Sequence, residues 1–102
     1  MNWKNGPSTT LVNEFGKQYV QYIYLNLELK EDKEPFEEFT SIENLVGALF
    51  FLKNKTLAQR SKTMIFIDEI QEVPKALNIL RYFYESVPEI SVIAAGSMLE
   101  TL

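Results

Sequence analysis

The chain has 102 residues, 46% of them apolar and 24% charged, with a formal net charge of −4 at pH 7. That balance suits one globular domain able to bury a core, and its negative sign offers nucleic acid no broad surface to bind. Cysteine and histidine are both absent, which excludes disulfides, thiol nucleophiles, imidazole bases and zinc centres, and leaves carboxylates, hydroxyls, lysines or an oxygen-held metal for any chemistry.

Leu11, Phe15 and Tyr19 recur at steps of four behind Ser8, Thr9 and Thr10, which predicts a short helix over residues 10–19. Residues 22–29 begin as an apolar run and end in alternation, the pattern of a strand near a sheet edge. The mixed charges of residues 30–34 read as a solvated connection. Pro35 fits the first turn of the next helix, where Phe36, Phe39, Ile42, Leu45, Leu49 and Leu52 recur at steps of three or four and cover one sheet face, either as one helix or as two broken near Thr40-Ser41.

Residues 53–62 are polar. Met64-Ile65-Phe66-Ile67 then reads as a strand buried on both faces of a parallel sheet. Pro74 opens a helix with Leu77, Leu80, Tyr84 and Val87 on one face, and Pro88 marks its end. Residues 90–95 form a third strand, Gly96-Ser97 turns off its tip, and Met98 begins another helix. Strands alternating with crossover-length connections imply an α/β fold with a parallel sheet. No run reaches the length of a membrane span and no charged-then-apolar leader opens the chain, so the expected location is cytoplasmic. The Asn54-Lys55-Thr56 sequon is then coincidental.

Chemistry concentrates where the strand over residues 64–67 ends in Asp68-Glu69. In open α/β sheets, ligands gather at the carboxyl edge. An Asp followed by Glu there suits Mg-nucleotide chemistry, the first carboxylate supporting a hard cation through water and the second orienting an attacking water. The same pair suits a helix N-terminus, where carboxylates favour the dipole; the residues alone leave both readings open. A carboxylate-pair glycosidase is disfavoured, because adjacent residues at a strand end point to opposite faces.

Four strings then carry a family resemblance: Thr9-Thr10-Leu11-Val12-Asn13-Glu14-Phe15, Phe66-Ile67-Asp68-Glu69-Ile70-Gln71-Glu72-Val73-Pro74, Leu80-Arg81-Tyr82-Phe83-Tyr84-Glu85 and Val92-Ile93-Ala94-Ala95-Gly96-Ser97-Met98-Leu99-Glu100. In this order and spacing they resemble the prokaryotic AAA-type P-loop ATPases, whose ATPase core precedes a separate C-terminal domain of unknown role. The resemblance implies ATP and Mg²⁺ as ligands and a partial P-loop NTPase sheet of about three parallel strands with flanking helices. It makes Asp68 the Walker B carboxylate serving Mg²⁺, Glu69 the residue that polarises the hydrolytic water, and Ser97 the sensor of the γ-phosphate. On its own, Ser97 better suits the cap of a helix starting at Met98. Gln71 and Arg81 match the family pattern without an assigned chemistry.

The phosphate loop departs from the family. Its form is G-x-x-x-x-G-K-[ST], in which glycines let the backbone close on phosphate oxygens and the lysine reaches the β and γ phosphates. The corresponding segment is Trp3-Lys4-Asn5-Gly6-Pro7-Ser8-Thr9-Thr10, so Pro7 stands for the second glycine and Ser8 for the lysine. Pro7 has no amide N–H to donate and its φ is fixed, and Ser8 brings no charge. Lys4 lies on the wrong side of Gly6 to substitute. Gly6, Thr9 and Thr10 remain the cofactor-binding candidates, with Thr9 able to offer a hydroxyl to Mg²⁺ or to cap the helix.

The family also carries a strand before the loop, another after the sensor strand, and a helical lid, none with a counterpart here. The three strands correspond to the family's second, third and fourth, which are neighbours in its sheet. The expectation is a single truncated AAA-type domain over residues 1–102 that binds and hydrolyses ATP poorly; the alternative is a working ATP-binding module within a larger ATPase or oligomer. The strand over residues 90–95 would be left as an apolar, uncharged edge, favouring edge-to-edge pairing or homo-oligomers.

Overall fold

The computed structural model describes residues 19–97. The helix expected over residues 10–19, the one starting at Met98, and the loop candidates Gly6, Thr9 and Thr10 therefore lie outside the described residues, apart from Tyr19, which is not helical.

Three parallel strands, β1 (Gln21–Asn26), β2 (Thr63–Asp68) and β3 (Ser91–Ala94), form one sheet in the order β1-β2-β3. Helices α1 (Lys30–Glu38) and α2 (Ile42–Leu52) connect the first pair, and α3 (Ala76–Ser86) connects the second. This is the α/β sheet with flanking helices that the alternation predicts. Ile23 pairs with Ile65, Leu25 with Ile67, and Ile65 in turn with Val92. Because side chains alternate along a strand, this register sends Ile23, Leu25, Ile65 and Ile67 to one face. There they meet Phe36 of α1, Leu45, Val46, Leu49 and Phe50 of α2, and Ile79 and Phe83 of α3 in one core. Full burial of each such side chain contributes about 1.5–3 kcal/mol. The other face carries Met64 and Phe66, with Tyr19, Ile93 and Ala95 against them. All six residues of β2 are buried, as the two-sided apolar run predicts.

The structure corrects the reading of residues 30–34, which form the first turns of α1. Asp32 is 1% exposed: its Oδ2 accepts the Asn26 backbone N–H at 3.0 Å and its Oδ1 accepts from Lys53 Nζ at 2.8 Å. An acidic side chain in a helix's first turn also suits the dipole. Upstream, Asn26 makes the turn, its Oδ1 accepting the Glu28 N–H at 3.0 Å and its carbonyl the Leu29 N–H at 2.9 Å. The strand expected to reach residue 29 therefore stops at Asn26. Pro35 sits inside α1 rather than at its start, leaving the Glu31 carbonyl without the helical N–H it would otherwise receive.

Of the two arrangements expected for residues 35–52, the broken one is found. Ser41 caps α2 by accepting the Asn44 N–H at 3.1 Å. The polar stretch that follows contains a 3-10 segment, Leu57–Lys62, capped by Thr56. Arg60 within it pairs with Glu43 at 3.2 Å and with Glu89 at 3.1 Å.

Helix α3 starts at Ala76, two residues after Pro74, and its buried face is also corrected. Of the expected face, Val87 is buried and Leu80 is partly buried against the core, whereas Leu77 is 45% and Tyr84 82% exposed, and Ile79 and Phe83 are buried in their place. The two sets form adjacent stripes of similar period, so spacing does not separate them; contact with the sheet does. Among the described residues, β3 has no strand on its far side.

Candidate functional site

Asp68 is the last residue of β2, the central strand, and is 6% exposed. Strand alternation puts it on the face of Phe66 and Tyr24. Tyr24 lies opposite Phe66 in the register, the two rings stacked with centroids 5.8 Å apart. From there the Tyr24 hydroxyl reaches the next residue along that face, donating to Asp68 Oδ2 at 2.8 Å. The Glu69 backbone N–H donates to Asp68 Oδ1 at 2.9 Å. Both carboxylate oxygens are thus fixed in direction, and each keeps a further lone pair.

The same neighbourhood acts on Tyr24. Burial, then the hydrogen bond to Asp68 and the negative charges of Asp68, Glu69 and Asp32, hold its hydroxyl well above the ordinary phenolic range. Tyr24 is consequently a neutral donor toward Asp68 at any physiological pH. The three carboxylates acting on it are those that the chain fold gathers at the carboxyl end of β1 and β2.

Glu69 leaves the strand with φ 56° and ψ 48°. That left-handed conformation costs a non-glycine residue about 1–2 kcal/mol, and it turns the chain sharply into the 3-10 segment Ile70–Glu72. The Glu69 carboxylate accepts from Gln71 Nε2 at 2.8 Å. Gln71 Oε1 is buried over Gly96 and has no hydrogen-bond partner among the described residues.

Gly96 is required here by close approach. A Cβ on it would lie 2.3 Å from Gln71 Oε1 and 3.0 Å from the Ile70 nitrogen. Two backbone bonds hold the contact, Ile70 N–H to the Ala95 carbonyl at 3.0 Å and Ala95 N–H to the Ile67 carbonyl at 2.9 Å. The turn after β2 is thereby clamped to the turn after β3, bringing Asp68, Glu69, Gln71 and Gly96 to one end of the sheet. Ser97 follows Gly96 directly and is exposed. Arg81 lies on an exposed part of α3 with its guanidinium 5.6 Å from the Tyr82 ring. Gly6, Thr9 and Thr10 are outside the described residues.

Two members of this cluster escape a reading of the sequence. Tyr24 is found only through the pairing of β1 with β2, since nothing local links it to a residue 44 positions away. Asp32 is hidden in a run of charges that resembles a loop. Gln71, which matches a family pattern without a role, gains a contact role between Glu69 and Gly96.

Among the described residues, no three acidic side chains converge into a cage that could hold a metal ion. A single carboxylate with spare acceptor capacity suits Mg²⁺, which is bound by one or two carboxylates together with water and substrate phosphates. None of the described helices is long and apolar enough to cross a membrane.

Comparison with protein families matches residues 8–102 to a family described as an AAA domain. No curated protein and no solved structure matches the chain.

Proposed function

The chain belongs to the AAA domain family of P-loop ATPases, and on that premise we propose that it is an ATPase-type domain with a weak hold on Mg-ATP. The observation that carries this reading is the position of Asp68 at the carboxyl tip of the central strand, followed at once by Glu69. In the proposal Asp68 supports Mg²⁺, Glu69 polarises the attacking water and Ser97 senses the γ-phosphate, while Gly6, Thr9 and Thr10 provide what remains of the phosphate loop and Thr9 adds a hydroxyl for the cation. When bound, Mg²⁺ neutralises triphosphate charge. Tyr24 and the Glu69 amide orient the carboxylate that would hold it.

Weakness follows from Pro7 and Ser8. Triphosphate charge is offset by loop amides, a lysine and the metal acting together. Proline removes one amide and serine the ammonium. A charged hydrogen bond contributes about 1.5–3 kcal/mol, so loss of the lysine alone lowers affinity on the order of ten- to a hundred-fold.

Calorimetric titration with Mg-ATP tests the proposal. The wild-type chain is expected to bind in the millimolar range, and the double variant Pro7→Gly/Ser8→Lys at least about tenfold more tightly. Micromolar binding by the wild type that disappears in Asp68→Asn would overturn the weak-binding reading and favour a working module.

A further inference from the structure

Helices α1 and α2 enclose between them an outward-facing groove of about 630 Å³, none of whose lining residues belongs to the carboxyl-end site. Its apolar lining comes from Pro35 and Phe39 on one side and from Ala48, Phe51 and Leu52 on the other. Phe51 is 88% exposed. Single exposed apolar side chains are ordinary on a protein surface, but a contiguous set lining a concavity with a polar rim marks an interaction site. Ala48 matters by its size, since a larger side chain at that position would fill the depression.

The rim gives the groove a sign. Glu31, Glu34 and Glu38 line it, and their spacing of three and then four residues sets them in one stripe along α1. Among the described residues the ion pairs formed are Lys53 with Asp32, and Arg60 with Glu43 and Glu89; none involves these three glutamates. Lys75 lies beside the apolar lining, its Nζ 5.2 Å from the Phe39 ring centroid and donating to the Glu37 carbonyl at 3.2 Å.

We infer that this groove is a docking site for a cationic amphipathic helix of a partner protein. Apolar side chains at helical spacing would enter between Phe39 and Phe51, and flanking lysines or arginines would meet the glutamate stripe. The stripe spans eight residues of α1, Glu31 to Glu38, about 10 Å, close to two turns of such a helix. A second copy of this chain is a poorer occupant: its net charge is −4, and docking α1 on α1 would bring two acidic rims together, a like-charge contact that opposes association.

Fluorescence anisotropy on the full chain tests the inference, using a labelled peptide of about 16 residues with leucine and phenylalanine on one helical face and lysines flanking them. A control peptide carries glutamates in place of the lysines. The basic peptide is expected to bind, and the acidic one to bind at least about tenfold more weakly. Glu31→Lys/Glu34→Lys/Glu38→Lys should lower affinity about tenfold, and added salt should weaken binding to the wild type. Ala48→Trp should abolish binding by filling the groove. Phe51→Ser, at a side chain too exposed to support the fold, supplies a second test should Ala48→Trp lose its native circular dichroism. Equal binding of the two peptides, no binding of either, or affinity unchanged in the groove variants would overturn the inference. So would self-association of the wild type that disappears in Phe51→Ser, which would give the groove to a second copy.

Discussion

Tyr24 couples the second face of the sheet to the carboxylate at its tip. Its phenol holds its proton more tightly in the folded chain than in the unfolded one, where ionisation begins near the ordinary value of about 10. Above that pH the native state binds more protons than the unfolded state, so stability falls as pH rises; below it the contribution is fully present. Urea midpoints measured from pH 8 to about pH 11 should therefore fall for the wild type and fall less for Tyr24→Phe. Identical slopes would show that Tyr24 makes no such contribution. Gly96 provides a steric counterpart. Gly96→Ala should cost about 1–3 kcal/mol through overpacking, and part of that cost should vanish in Gly96→Ala/Gln71→Ala, because the shortest contact is with Gln71 Oε1. A cycle with strictly additive costs would mean that the Ile70 backbone alone resists the methyl group. Asp68 and Glu69 are visible in the sequence because an apolar strand ends in them; Tyr24 and the close contact that makes Gly96 necessary are not, because they depend on strand register and on two turns distant in the chain.

Asp32 shows how a single residue decides where an element begins. It ties the first turn of α1 to the end of β1 through the Asn26 amide and to the end of α2 through Lys53. Asp32→Ala removes two charge-assisted hydrogen bonds, and since Lys53 stays partly in water the expected loss is about 2–4 kcal/mol by chemical denaturation. Lys53→Met, which leaves the Asn26 bond intact, should cost less than half of that. Equal losses would place the whole effect in the ion pair. The strands were legible at this scale because apolar runs and alternation encode burial directly; the break between α1 and α2 was one of two readings that the spacing left open, and the Ser41 cap decides it. The start of α1 was not legible, since Lys30-Glu31-Asp32-Lys33-Glu34 looks solvated until Asn26 and Lys53 are placed beside it. The face of α3 was legible at Val87 and in part at Leu80 but not elsewhere: Leu77 and Tyr84 repeat much as Ile79 and Phe83 do, and only the sheet chooses between them.

At the scale of the whole molecule the order β1-β2-β3 leaves β3 at one side of the sheet with no further strand among the described residues. Next to it lies an apolar cleft of about 570 Å³ lined by Leu80, Phe83, Tyr84, Pro88, Ile90 and Val92. No residue from Ile90 to Gly96 carries a charge, so this flank lacks the lysines and glutamates that keep sheet edges from pairing. Association through backbone hydrogen bonds along β3, with apolar contact across the cleft, is the expected result. Light scattering across a concentration series should then show a mass that rises with concentration. Tyr84→Lys, which adds charge to the cleft at a side chain exposed enough not to disturb the core, should shift the series toward the monomer. Ala48→Trp, confined to the groove between α1 and α2, should leave the series unchanged, which separates edge pairing from any contact through that groove. A constant monomer mass together with a cooperative melt would mean that β3 is protected by other parts of the chain and that its uncharged edge is no liability.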